Sequence, residues 1–171
     1  REIPNPDVPN PLNAQPLSNA SMRTFDTLAD LAACAGQEIT VTDWHQVTQQ
    51  HIDQFAEATG DHQWIHVDAE RAKAGPFGST IAHGYLTLSL LAGFFSRSIK
   101  VKEVRMGVNY GSNKVRFMSP VPEGSRLRVR VELLDTTPIE GGMQVAWRAT
   151  IEREGSDKPV CVAEPLSRYY V

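Results

Sequence analysis

The longest apolar run in the chain, Ile81 to Ile99, constrains the fold more than any other feature. Its interruptions, His83, Thr87, Ser89, Ser96, Arg97 and Ser98, make it too polar for a lipid-exposed span. As a helix it is apolar nearly all round, and such a helix has to be enclosed by other elements, because a surface helix keeps a polar face. The material to enclose it follows directly. Leu127, Val129, Val131 and Leu133 alternate with Arg126, Arg128, Arg130 and Glu132, and Met143, Val145, Trp147, Ala149 and Ile151 alternate with Gln144, Arg148, Thr150 and Glu152. Glu140, Gly141 and Gly142 stand where a hairpin connection would join these two strands. Val115 to Phe117 and Val160 to Tyr170 supply further strands. The expectation is an α+β fold in which one face of an antiparallel sheet lies on a buried helix and the other is partly solvated.

Upstream of the helix, Thr27 to Ala35 reads as a short amphipathic helix stopped at Gly36, and Ile39 to Val47 as a strand. Thr48 can cap a helix whose inward stripe is Ile52, Phe55 and Ala56 and which Gly60 ends. Asp68 can cap a short helical turn through Ala72. Residues 1–21, with Pro4, Pro6, Pro9, Pro11 and Pro16, read as a disordered extension ahead of a 22–171 domain. The expectation is that Met22 is the natural start and the extension an expression-vector remnant, a native linker being the alternative.

With 171 residues the chain can bury a core without disulfides or a structural metal. Its 17 basic and 20 acidic residues are well mixed, which argues against nucleic acid as a partner and for a small molecule. Cys34 and Cys161 have neither ligand-like nor CxxC spacing and read as reduced thiols. No apolar leader opens the sequence, so a cytoplasmic location away from membranes is expected.

Acid, imidazole and glycine concentrate in residues 60–84, GDHQWIHVDAERAKAGPFGSTIAHG. Asp61 and His66 are five positions apart, so they would face different ways on a continuous helix; to meet they must lie on an irregular loop. His62, His66, Asp61 and Asp68 could be taken for a metal cluster, but Gly60 argues against the continuous helix that a His-x-x-x-His site needs. His45 and His51 read as solvated side chains. Lys114, Arg116 and Arg126 read as a solvated strand face, with contact to the phosphates of a ligand as the alternative.

A sheet curled around one apolar helix is the hot-dog architecture, and two motifs here resemble the MaoC-like (R)-specific enoyl-CoA hydratases. The family pattern A-x-x-[ST]-G-D-x-N-P-[LI]-H-x-[DN], followed after a spacer by H-G-[MF]-L, is met by Ala56, Thr59, Gly60, Asp61, Ile65, His66 and Asp68, then His83, Gly84 and Leu86. Gln63 and Trp64 depart from the usual Asn-Pro, and this version is similar to the branch of nodulation protein N and the bacterial 3-hydroxyacyl-thioester dehydratases. The resemblance implies that Asp61 and His66 hold and activate a water that adds to C3 of a trans-2-enoyl thioester, or leaves it in dehydration. It assigns the backbone N–H of Gly84 to the thioester oxygen. A helix starting at Thr80 would use that N–H internally, whereas a start near His83 leaves it free; the resemblance favours the later start. His83 reads as a loop brace or a substrate contact, and Trp64 and Tyr85 as tunnel walls or packing residues. Asn109, Tyr110 and Gly111 are candidates for the thioester pocket. The family implies no cofactor and no metal, an acyl-CoA or acyl-carrier-protein thioester as substrate, and a homodimer. A non-catalytic acyl-thioester binding protein and a hot-dog thioesterase are the alternatives.

Overall fold

The computed structural model describes residues 22–171, so the expectation for residues 1–21 lies outside the described residues. The described chain runs β1 (Arg23–Phe25), α1 (Leu28–Ala32), β2 (Glu38–Val41), β3 (His45–Gln46), α2 (Gln49–Thr59), α3 (Trp64–Val67), α4 (Ala69–Lys73), α5 (Gly84–Ser98), β4 (Ile99–Val101), β5 (Met106–Phe117), β6 (Arg126–Ile139), β7 (Gly142–Arg153) and β8 (Cys161–Tyr170). It is a hot-dog fold: a six-stranded antiparallel sheet, in the order β2-β6-β7-β8-β5 with β3 also on β6, around the central α5. A short parallel pair of β1 and β4 stands apart from it.

Alternation along β6 and β7 puts the apolar residues on one face. Val129, Val131 and Leu133 pair with Ile151, Ala149 and Trp147, and all six are fully buried. Helix α5 lies on this face through Leu86, Leu91 and Phe94, and the Phe95 ring meets Trp147 edge-on at 5.3 Å. Each large side chain enclosed this way contributes about 1.5–3 kcal/mol of burial. The outer face carries ion pairs between strands: Arg126–Glu154, Arg128–Glu152, Arg130 with both Glu38 and Glu152, and Arg148 with Glu132 and Glu164. Single surface pairs stabilise little, but opposite charges aligned across strands disfavour a slipped register. Arg126 is engaged by Glu154 on this exposed face.

Helix α5 is not enclosed all round in the single chain. Tyr85, Ser89, Ala92 and Ser96, spaced as one helical stripe, remain exposed. The neighbouring edge strand β5 is also longer than the Val115–Phe117 segment expected. It reaches back to Met106 through register shifts at Asn109/Gly111 and Ser112/Val115, where small and polar residues hide the period-two signal. Gly111, at φ 153, occupies the first of these bulges.

Thr48 caps α2 in a capping box whose return bond, from the Thr48 N–H, is accepted by His51 Nδ1 at 3.2 Å. Thr27 does the same for α1 with Asp30, although α1 stops at Ala32 and a turn leads on to Gly36. The expected strand Ile39–Val47 is broken: at Thr42 both the backbone N–H and the side-chain hydroxyl engage Val129, and the chain re-enters the sheet as β3. His45 and His51 are half-buried rather than solvated, with ring centroids 5.6 Å apart and Phe94 edge-on to His45. No helix among the described residues is long and apolar enough to cross a membrane.

Glu140 and Gly141 form the two-residue turn between β6 and β7, and a Cβ added at Gly142 would run into the Tyr169 carbonyl of the adjacent strand. Gly142→Ala is expected to lower stability by about 1–3 kcal/mol in chemical denaturation, because the strands cannot separate without losing ladder bonds. Burial lowers the pKa of His45, with Arg97 and His51 adding to the effect, and burial lowers that of His51, both from 6.5. The folded chain then binds these protons less tightly than the unfolded one. Their stability contribution is full above 6.5 and is lost as pH falls through the lower folded values. The exposed His62 beside Glu57 runs the opposite way but is screened by water. Denaturation midpoints at about pH 7.5 and about pH 5 check this, with the lower midpoint expected at the acid pH.

Candidate active site

Gly60, left-handed at φ 77, terminates α2 and donates its N–H to the Ala56 carbonyl at 2.8 Å. Asp61 follows in the turn, its Oδ1 accepting from the Gln63 N–H at 3.3 Å, with a carboxylate that is about half exposed. One turn of helix, α3, then carries His66 inward, where it is 6% exposed. The irregular loop expected to carry both residues is shorter than that: Asp61 lies in the turn after α2, while His66 sits on the helical turn α3.

A second arm, residues 79–84, closes over the first. Ile81 donates its N–H to the Ile65 carbonyl at 3.0 Å, and its own carbonyl accepts from His66 Nδ1–H at 2.7 Å. A carbonyl can only accept, so the proton sits on Nδ1 and the Nε2 lone pair of His66 is free. Burial, the largest influence, holds the His66 pKa below 6.5, and the His83 imidazole adds to it; the Ile81 bond and Asp61 pull the other way. His66 is therefore unprotonated at neutral pH and can take a proton at Nε2.

His83, 3% exposed, stacks on the His66 ring at 3.7 Å and donates from Nε2 to the Asp61 backbone carbonyl at 2.9 Å. This is the loop-bracing arrangement. Its Nδ1 is buried with no hydrogen-bond partner among the described residues. His83 is also the N-cap of α5, which starts at Gly84 rather than at Thr80. The Gly84 N–H therefore has no acceptor within the helix and sits at the positive end of its dipole. Gly84 lines a cavity of about 300 Å³ together with His66, Phe77, Thr87, Phe117 and Met118. A Cβ at Gly84 would come 3.1 Å from the Phe117 ring, so glycine keeps this wall open.

Candidate ligand atoms of Asp61, His66 and His83 lie within 4.8 Å of one another, close enough for one water to bridge the carboxylate and an imidazole. The trio is not the His62, His66, Asp61 and Asp68 set that could be taken for a metal cluster: His62 turns to Glu57, and Asp68 caps α4 through the Arg71 N–H. His83 Nε2 is a donor to the Asp61 carbonyl, and the His66 and His83 rings stack 23° from parallel.

The remaining candidates lie further out. Trp64 packs under the Arg71 guanidinium at 4.4 Å and against Gly75, and it is not among the residues lining either cavity on α5. Tyr85 is 71% exposed and edge-on to Phe117. Asn109 and Gly111 line a second, larger cavity of about 580 Å³ along α5 with Leu88, Leu91, Phe95 and Tyr169, while Tyr110 lies under the Arg168 guanidinium at 3.4 Å. Phe77, Thr87, Phe117 and Met118 carried no local signal, because the cavity forms only where the end of β5, the start of α5 and the loop before it come together.

The family model for the MaoC like domain matches residues 30–154. The chain is 53% identical over 149 residues to 3-hydroxyacyl-thioester dehydratase Z of Mycobacterium tuberculosis, covering 86% of this chain and 99% of that protein. It is 48% identical over 140 residues to nodulation protein N of Rhizobium leguminosarum bv. viciae, covering 80% and 87%. In fold it is similar to the unliganded R-hydratase of Pseudomonas aeruginosa, with a TM-score of 0.67 at 24% identity over 85% of this chain and 86% of that one. With the match to the domain model and the identity to these two relatives, the chain belongs to the MaoC-like hydratase and dehydratase family, on the branch related to nodulation protein N.

Proposed function

We propose that this chain is a hydro-lyase that interconverts a trans-2-enoyl thioester and the (R)-3-hydroxyacyl thioester. The observation that carries the reading is the cluster of Asp61, His66 and His83, with His66 also lining the cavity that Gly84 borders at the start of α5. A water held between Asp61 and His66 gives its proton to His66 Nε2 as its oxygen bonds to C3. The electron pair of the double bond moves toward the thioester, where the Gly84 N–H and the helix dipole stabilise the charge on oxygen. His66 then returns the proton to C2. Dehydration is the same path reversed, and the name of the mycobacterial relative favours substrates of the 3-hydroxyacyl-thioester class.

The unit proposed to do this is residues 22–171 working as a homodimer on coenzyme A or acyl-carrier-protein thioesters. Support for the dimer comes from the open stripe of α5 and the long edge β5, where Tyr85, Met106, Val108, Tyr110, Phe117 and Met118 are exposed together. A second copy covering this face would remove both the open stripe and the edge strand. Two unpaired cysteines suit a reducing cytoplasm.

Pure protein is expected to consume the conjugated absorbance of crotonyl-CoA or a longer enoyl-CoA without releasing free thiol, which separates hydration from thioester cleavage. Asp61→Asn and His66→Ala should each lower kcat/KM by about 100-fold or more. Because the His66 pKa is lowered, the acid limb of kcat/KM should fall below pH 6.5. Full activity in both variants would reject the assignment. Light scattering should give twice the chain mass, and a monomer at working concentration would reject the dimer.

A further inference from the structure

Resting on the hydratase reading, we propose that Gln49 is a positioning residue that ties the two arms of the site together and keeps His66 in its reactive tautomer. Its carboxamide uses every polar atom. Nε2 donates to the His66 carbonyl at 2.7 Å and to Asp53 Oδ1 at 2.8 Å, while Oε1 accepts from the Thr80 hydroxyl at 2.5 Å. Two acceptors on one side and a hydroxyl on the other fix the amide in this orientation.

The contact closes a ring of bonds. Thr80, 2% exposed, is joined directly to Ile81, whose carbonyl holds His66 Nδ1–H, and the His66 carbonyl returns to Gln49. The first arm, residues 60–68, and the second, residues 79–84, are thereby held at one separation by the first residue of α2, whose place is set by the Thr48–His51 capping box. Loss of the amide leaves the His66 carbonyl and the buried Thr80 hydroxyl unpaired, which costs more than the bonds themselves contributed. The arms can then part, and the Ile81 carbonyl no longer selects Nδ1 as the protonated nitrogen. Glutamate is no substitute, because it would set a carboxylate oxygen against the His66 carbonyl and beside Asp53. Gln49 touches no reacting atom; it acts through His66.

The test combines Gln49→Ala, Gln49→Glu, Thr80→Val and Thr80→Ser with two readouts, enoyl-CoA kinetics and histidine ring NMR of the full chain. Gln49→Ala and Gln49→Glu should lower kcat about 10- to 100-fold with little change in KM, and Thr80→Ser should keep wild-type rates where Thr80→Val does not. In the NMR titration the Nδ1–H tautomer of His66 should give way to a mixture, and its midpoint should move up toward 6.5 as the ring gains water. A folded Gln49→Ala variant with an unchanged His66 tautomer, titration and kcat overturns the proposal, as does a loss of stability with those three intact. Should Gln49→Ala not fold, the Thr80 pair decides by the same readouts. The ring titration needs no turnover, so a wild-type chain inactive on enoyl thioesters would reject the hydratase reading while the His66 signals still judge the role of Gln49.

Discussion

The site depends on the packing of α5 against the inner face of the sheet. A helix with so little polar surface is stable only where apolar side chains meet it, and Val129, Val131, Leu133, Trp147 and Ile151 offer that surface through strict alternation. Once α5 is seated, its first turn has a defined place beside the end of β5. Gly84 then faces Phe117, and the free N–H of the helix start opens into a cavity rather than into bulk water. Moving the helix would remove the cavity, the N–H and the position of His83 together.

The reacting groups hang on this frame by backbone bonds more than by side-chain ones. Ile65 and Ile81 stitch the two arms, the Ile81 carbonyl sets the His66 tautomer, and the Asp61 carbonyl receives His83. Backbone carbonyls cannot donate, so they dictate which ring nitrogen keeps its proton. The consequence is a neutral imidazole close to a half-exposed carboxylate, an arrangement suited to handling water.

Several parts were legible from residues alone because their causes are local. Thr48 and Asp68 cap helices, Gly60 ends one, and the Arg and Glu alternation of β6 and β7 marks the outer sheet face. Other parts were not. The strand expected over Ile39–Val47 breaks at Thr42 because its hydroxyl substitutes for a ladder partner, and β5 is hidden by its bulges. His45 and His51 looked solvated because nothing in their own segments announces that Phe94 of α5 lies beside them. Gln49 looked like any polar residue in a first helical turn.

The sequence by itself determined the α+β class, the central helix and the family motifs, whose resemblance implied the Asp61–His66 pairing, since each rests on period or residue type within a short span. Only the tertiary structure decided where α5 begins, which nitrogen of His66 is free, that Arg126 is spent on Glu154, and that Asn109 and Gly111 line a cavity separate from the one holding His66. Those outcomes depend on partners far away along the chain, and a hydrogen bond or a buried contact is a property of both ends. Periodicity can say which side of a strand faces inward, but it does not say what will be waiting there.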